Sequence, residues 1–220
     1  STIIDIDQAM MSLALEITCG ALFGVDIESE VDEITAATLT ALHGVVARAR
    51  NPLALPLMVP TPANLKMKRA IKKLDMAVTL IIAARAANQL PLDAPIRDML
   101  DVLLDPDLET PLSKQQIRDE IVTFIVAGHE TVASALTWAW YLLVTNPSEM
   151  KKLQEHPERA KLVLAEALRL YPPAWVITRR TLSEFTVEGF TIPANSLVIV
   201  SPWLVHRNQK AWEQPLQFLP

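Results

Sequence analysis

From Ser113 to Thr145 the chain carries one helical pattern that nothing interrupts, and that length decides much of what the fold can be. Ser113, with Gln116 three residues later, forms a capping box that opens the helix, and Asn146-Pro147 closes it. The helix from Lys114 then runs for about 32 residues, or about 48 Å at a rise of 1.5 Å per residue. Past Ile121 it is apolar around most of its circumference, which predicts a helix running through the middle of the fold. A helix of this kind needs other helices around it.

The rest of the sequence supplies them. Residues 4–24 have apolar positions at helical spacing, with Asp7 as the expected N-cap and Gly24 as the stop. Glu30 to Arg50 reads as a second helix. Pro52, Pro56, Pro60 and Pro62 then enforce a loop. Ala63 to Asn88 reads as a third helix, with Leu65, Ile71, Leu74, Val78, Ile81 and Ile82 on its apolar face. Its basic residues Lys66, Lys68, Arg69, Lys72 and Lys73 read as a solvated face. A shorter helix follows in residues 95–104. Beyond the long helix, Asn146 is expected to cap the next one, with Pro147 at its first position and Glu149 completing a second capping box. Another helix spans about Glu158 to Tyr171, where Pro172-Pro173 ends it. The period then shortens. Residues 184–204 read as strand, turn, strand, with Phe185, Val187, Phe190, Ile192, Leu197, Ile199 and Val200 as the apolar positions. The expected architecture is mainly α with a small β-sheet near the end: helical over 1–172, β over 173–220.

Composition removes several classes of function. The chain has 220 residues, half of them hydrophobic and a fifth charged, a size that suits one large domain or part of one. Only 5 glycines argue against a Gly-rich phosphate loop. A net charge of −5 gives no electrostatic case for nucleic acid. The single cysteine, Cys19, excludes an internal disulfide framework and a Cys-rich zinc site. The longest uncharged run, Thr131 to Ser148, ends in Thr-Asn-Pro-Ser, so its apolar part is too short for a bilayer span, which needs about 20 residues. With no signal peptide visible, a cytoplasmic chain without a membrane span is expected. The absence of an initiator Met and the abrupt end at Pro220 suggest a piece of a longer protein.

Within the long helix, Ala127-Gly128-His129-Glu130-Thr131 stands out. A glycine inside a helix costs about 1 kcal/mol relative to alanine, so something must compensate. Without Cβ the backbone can approach a flat object closely. The Thr131 hydroxyl can bond the carbonyl of Ala127 one turn back. Together they predict a local widening at Ala127–Thr131. Glu130 then places an ionisable group in an apolar setting, suited to proton chemistry or a buried pair. The same residues fit equally a helix packed at Gly128 against a crossing helix, with His129 and Glu130 on a solvent strip. No metal site is read. His129 lacks the second histidine four residues on, where Ala133 stands, and none of the four histidines has a glutamate three residues before it.

Glu166 and Arg169, at i and i+3, share a helix face. By themselves they read as an exposed ion pair. Their apolar neighbours Leu164, Ala165, Ala167, Leu168 and Leu170 favour burial, which is costly unless further partners satisfy the pair. Arg179 and Arg180 enter the sheet just past the prolines, where an arginine can reach a carboxylate or phosphate or remain a solvated strand-edge residue.

Taken together, these residues resemble the cytochrome P450 family. Ala127–Thr131 looks like its oxygen-activation motif, "EALRLYPP" like its Glu-x-x-Arg helix, and His206–Pro220 like the lead into its meander, all in the family's order. The resemblance covers nearly the whole chain, and it implies a single partial P450-like domain over 1–220. It implies heme b (iron protoporphyrin IX) as cofactor, with Ala127 and Gly128 against the heme. Thr131 would hydrogen-bond dioxygen or its ordered water, Glu130 would deliver protons, and Arg179 would pair with a propionate. Glu166 and Arg169 would be structural. Phe124, Ala174, Trp175, Val176 and Ile177 would line the substrate pocket. The short stretch from Thr131 to Glu166 is similar to soluble bacterial members. The family's thiolate cysteine would lie beyond Pro220. Cys19 sits in the wrong context for it and reads as a buried small hydrophobe, so the 220 residues alone are expected to lack normal activity. The implied reaction inserts one atom of O2 into an apolar organic substrate, with electrons from a ferredoxin or flavin reductase. A peroxide-using or hydroperoxide-rearranging relative, and a non-catalytic helical binding protein, are the alternatives.

Overall fold

The computed structural model describes residues 3–25, 31–87, 98–106 and 109–220. Helices α1 (Ile6–Phe23), α2 (Val31–Arg50), α3 (Pro62–Ala87), α4 (Met99–Leu104) and α5 (Lys114–Thr145) are followed by α6 (Pro147–Glu155), a 3-10 turn at Pro157–Arg159 and α7 (Ala160–Leu170). Strands β1 (Ile177–Arg180), β2 (Phe185–Val187), β3 (Phe190–Ile192) and β4 (Leu197–Val200) come next, then the short α8 (Pro202–Val205). The mainly α architecture with a small β region matches the expectation. Residues 95–97 of the expected fourth helix, and Glu30 and Asn88, lie outside the described residues. The chain divides into two compact units, Ser1–Ala133 and Ser134–Pro220, with the boundary inside α5.

Local chemistry explains the helix ends. Asp5, not Asp7, caps α1: its carboxylate accepts from the backbone N–H groups of Asp7 and Gln8. Gly24 ends α1 at φ 60°, a left-handed value that glycine adopts without a Cβ penalty. Ser113 and Gln116 form the expected reciprocal box. The Ser113 N–H donates to Gln116 Oε1 (2.9 Å), and the Gln116 N–H donates to Ser113 Oγ (3.3 Å). The second box does not form. Asn146 turns its Nδ2 back to the Leu142 carbonyl (2.8 Å), so it closes α5 instead of opening α6. Glu149 instead meets Lys152 (2.7 Å).

In the first unit α2 and α3 run antiparallel. Glu33 meets Lys73 (2.9 Å) at one end of the pair, and near the other end Gly44 leaves room for Met67, whose sulfur would lie 3.0 Å from an added Cβ. Buried Met67, Ala70, Leu74, Ala77, Val78 and Ile81 form the inner face of α3. Leu65, expected there, is exposed, because it lies a half-turn off this row. The main core joins Ala70, Leu74, Ala77, Val78 and Ile81 to Leu15, Cys19, Phe23, Val31, Ile34, Leu100, Ile121 and Ile125. Arg85 ties three elements together, pairing with Asp98 and Asp101 and donating to the Phe23 carbonyl (2.9 Å). Cys19 is fully buried, and burial pushes its thiol up to about 12, so it is the inert hydrophobe expected.

Helix α5 is covered on one side rather than all round. Ile121, Ile125, His129 and Ala133 are buried, while Thr123, Ala127 and Thr131 are exposed. The expectation of a helix wrapped on most of its surface therefore fails for its described surroundings. The expectation of too short an apolar length also needs correction. By length and composition alone, α1 and α5 each suffice to cross a membrane, although each carries a face packed within the protein.

In the second unit the end of α5 packs on α7 through Ala139, Leu142, Leu143, Val163, Ala167 and Leu170, closed by Phe218. Trp138 stacks on Tyr171 with ring centres 3.9 Å apart. The β region consists of two separate antiparallel pairs instead of one strand-turn-strand unit. β2 and β3 form a hairpin through Glu188 (φ 46°) and Gly189 (φ 83°), the two positive φ values that a tight two-residue turn needs. β4 pairs instead with β1, from Ile177 opposite Val200 to Arg180 opposite Leu197. That pairing was not legible, because Ile-Thr-Arg-Arg lacks a strand's apolar alternation.

Candidate functional site

The expected motif occupies three faces of α5. His129 belongs to the buried row, with its Nε2 3.5 Å from the Thr35 hydroxyl of α2. Burial pushes its pKa below the ordinary imidazole value, with the backbone of Met11 acting the other way. His129 is therefore not on a solvent strip. Its spacing of four from Ile125 and Ala133 was the available signal that it joins the core row. Phe124 is half-buried and packs against the same core. Gly128 also looks inward. A Cβ there would lie 2.9 Å from Thr18 Cγ2 and 3.1 Å from Thr18 Oγ1, so the close approach of α1 accounts for the glycine. That contact is the crossing-helix use of the bare backbone.

Ala127 and Thr131 face outward, one turn apart. The Thr131 hydroxyl donates to the Ala127 carbonyl at 2.5 Å, as expected, yet α5 stays α-helical from end to end, so the predicted widening does not break the helix. Because its proton is committed to that carbonyl, Oγ1 presents acceptor lone pairs to the open side. Glu130, between the two faces, is half-buried.

The second constellation is fully built. Arg169 is buried, and its five N–H donors all find acceptors. Nε and Nη2 donate to the two carboxylate oxygens of Glu166 (2.7 and 2.8 Å). Nη1 donates to the carbonyls of His206 (2.9 Å) and Pro215 (2.8 Å), and Nη2 also to that of Gln217 (2.9 Å). The guanidinium lies over Trp212 at 4.9 Å from the ring centre. Glu166 accepts a further bond from the Leu219 N–H (3.0 Å). Burial pushes its carboxyl up, but Arg169 and that N–H outweigh it and hold the pKa below the usual range. The default exposed pair is thus excluded, and the carbonyl partners answer the cost of burial.

On β1, Ile177 and Arg179 share a face by strand alternation. Both are exposed. Arg179 donates only to the neighbouring Thr178 carbonyl (2.8 Å) and has no ion pair among the described residues. Ala174 and Trp175 are exposed and Val176 is half-buried.

These features fall into a known pattern. The family model of cytochrome P450 matches residues 1–220, and the chain belongs to that family. It is 31% identical to cyclooctatin synthase of Streptomyces melanosporofaciens over 99% of this chain and 51% of the relative. It is 28% identical to pentalenene oxygenase of Streptomyces avermitilis over 100% of this chain and 52% of the relative. Among solved structures it is similar to CYP175A1 from Thermus thermophillus, with a TM-score of 0.74 and 30% identity over 98% of this chain and 48% of that one. The chain thus spans about half the length of these relatives. The family implies heme as cofactor. The described residues fit such a group in two places. Ala127 and Thr131 offer a small-side-chain surface with one polar atom, and β1 offers an apolar side chain beside a cation with no ion pair among the described residues.

Gly128→Ala is expected to lower stability, because forcing a methyl against Thr18 costs about 1–3 kcal/mol, more than alanine's helical gain of about 1 kcal/mol. Adding Thr18→Ala should recover most of the loss in thermal melts, whereas a raised Tm for Gly128→Ala alone would contradict the packing. Arg169→Ala should cost about 3 kcal/mol by leaving the half-buried Glu166 carboxylate and three backbone carbonyls without their donor. Arg169→Lys should fall well short of wild type in urea denaturation, since an ammonium has fewer donors than the guanidinium and no planar fork.

Proposed function

We propose that this chain forms the oxygen-activation helix and the Glu-x-x-Arg anchor of a heme-thiolate monooxygenase. The observation that carries the reading is the outward-facing Thr131, back-bonded to Ala127 on the open side of α5. In this reading the two compact units belong to one P450 domain. The reaction is RH + O2 + 2 e− + 2 H+ → ROH + H2O. The heme, when bound, supplies the redox centre at which dioxygen is reduced.

The chain's own residues do the rest. Ala127 gives the cofactor a small, apolar neighbour. Thr131 Oγ1, its proton held by Ala127, accepts a hydrogen bond from a water or protonated oxygen on the open side and holds that proton near the reacting oxygen. Glu130, one residue away and half-buried, exchanges protons between solvent and that position. Arg179 pairs with a propionate while Ile177, on the same strand face, meets the ring or the substrate. Ala174, Trp175 and Val176 are assigned to the substrate, as is Phe124 on α5. Glu166 and Arg169 act structurally, since every donor of the guanidinium is already engaged.

The substrate is proposed to be an apolar alkene-type terpenoid. Relatives are named for oxygenation of pentalenene and of cyclooctat-9-en-7-ol. The electron donor is a ferredoxin or flavin reductase, and the setting is the cytoplasm. In the purified full-length, heme-loaded protein, Thr131→Ala should sharply lower product formed per O2 consumed, since losing one positioned proton-transfer group costs about 10²–10⁴ in rate. Unchanged coupling, measured by oxygen electrode against product, would remove Thr131 from this role.

A further inference from the structure

A cavity of about 350 Å³ opens between the end of α2, the start of α3 and the proline-rich loop that joins them. That volume suits a small organic molecule. Its apolar walls include Gly44 and Ala47 of α2 and Ala63 and Met67 of α3. Bonds within the hairpin hold it open. Asn64, buried, donates from Nδ2 to the carbonyls of Pro56 and Val59 (both 2.9 Å). Arg48 Nη1 donates to the Leu55 carbonyl (2.8 Å) and to Asn64 Oδ1 (3.1 Å). Prolines at 52, 56, 60 and 62 limit the loop's freedom further, so the cavity is preformed.

Three polar side chains line the same cavity, and what they have left over is one-sided. Asn51 Oδ1 already accepts from the Leu53 N–H (3.0 Å), while its Nδ2 has no partner among the described residues. Thr61 Oγ1 accepts from the Asn64 N–H (3.2 Å), and its own proton has no acceptor among the described residues. Arg48 spends Nη1 on the loop, and no carboxylate pairs with it among the described residues. The oxygens are engaged, while donors and a positive charge remain. The sequence supplies no counter-charge nearby: from Ile34 to Leu74 there is no Asp or Glu, in a chain of net charge −5.

We propose that this cavity binds a small amphipathic carboxylate. Its apolar body would lie against Ala47, Ala63 and Met67, and its carboxylate would accept from Arg48, Asn51 Nδ2 and the Thr61 hydroxyl. A bare anion would use the donors and leave the apolar walls unfilled. A neutral apolar molecule would fill the walls and leave the guanidinium unmatched. None of the cavity's residues belongs to the proposed heme surface on α5, so the two readings fail independently.

The test is calorimetric titration of the purified full-length, heme-loaded protein with octanoate, with octanol as the arm lacking charge and acetate as the arm lacking an apolar body. Octanoate is expected to bind saturably and to weaken with added salt. Octanol and acetate should each bind about tenfold more weakly or worse. Asn51→Asp keeps the acceptor that Leu53 uses but replaces a donor with a negative charge. It should lower octanoate affinity about tenfold or more with an unchanged thermal melt. Ala47→Phe, at an exposed position on the cavity wall, should fill the space and lower affinity likewise. Lys66→Gln with Lys68→Gln, exposed on α3 but outside the cavity lining, should leave affinity within about twofold. Absent binding, or equal affinity for octanol and octanoate, would overturn the proposal. Octanoate affinity unmoved by both Asn51→Asp and Ala47→Phe would place the ligand elsewhere, the substrate pocket included, and would overturn it too.

Discussion

The four-residue row Ile121, Ile125, His129 and Ala133 decides how α5 is oriented in the first unit. Side chains four apart stand on one face of a helix, so burying this row turns the opposite row, Thr123, Ala127 and Thr131, outward. A histidine in the buried row is unusual. It is tolerated because its imidazole reaches Thr35 and burial favours its neutral form. Thr18 reinforces the same orientation by filling the space where a side chain at 128 would go. The polar residues that could do chemistry are thus presented by the packing of residues that do none.

The second unit solves a different problem, that of burying a charge. Arg169 could not remain folded in an apolar setting with Glu166 alone, because a buried pair rarely repays its desolvation. Three backbone carbonyls from the segment between His206 and Gln217 complete its hydrogen bonding, and the Leu219 N–H does the same for Glu166. That irregular segment has little secondary structure of its own, so the ion pair organises it as much as the segment stabilises the pair. The arrangement explains why i, i+3 carboxylate and guanidinium are both needed: each supplies bonds the other cannot.

Much of this was legible in sequence where the cause is local. The Ser113–Gln116 box, the Gly24 stop, the length of α5 and the Thr131 back-bond depend on residues close together along the chain. The failures have non-local or competing causes. Asn146 had two uses, and the Leu142 carbonyl won over the next helix's N–H groups. Asp5 and Asp7 are equally good caps by type, and only the chain's entry angle separates them. Leu65 looked like a core residue until the row through Met67 and Ala70 displaced it. The carbonyl partners of Arg169 lie 37 to 48 residues downstream, and no pattern in the sequence marks a carbonyl. For Gly128 the helical cost and a crossing-helix contact were both readable, but not that the partner is Thr18 of α1.

On the proposed reading, heme rests on the outward row of α5. The most direct measurement is the heme content of the purified full-length protein carrying Ala127→Phe, read from its heme absorbance per mole of protein and set beside its far-UV circular dichroism. Because Ala127 is exposed, the account predicts an unchanged helical spectrum with heme lost or sharply reduced. Normal heme content in a normally folded Ala127→Phe protein would contradict it.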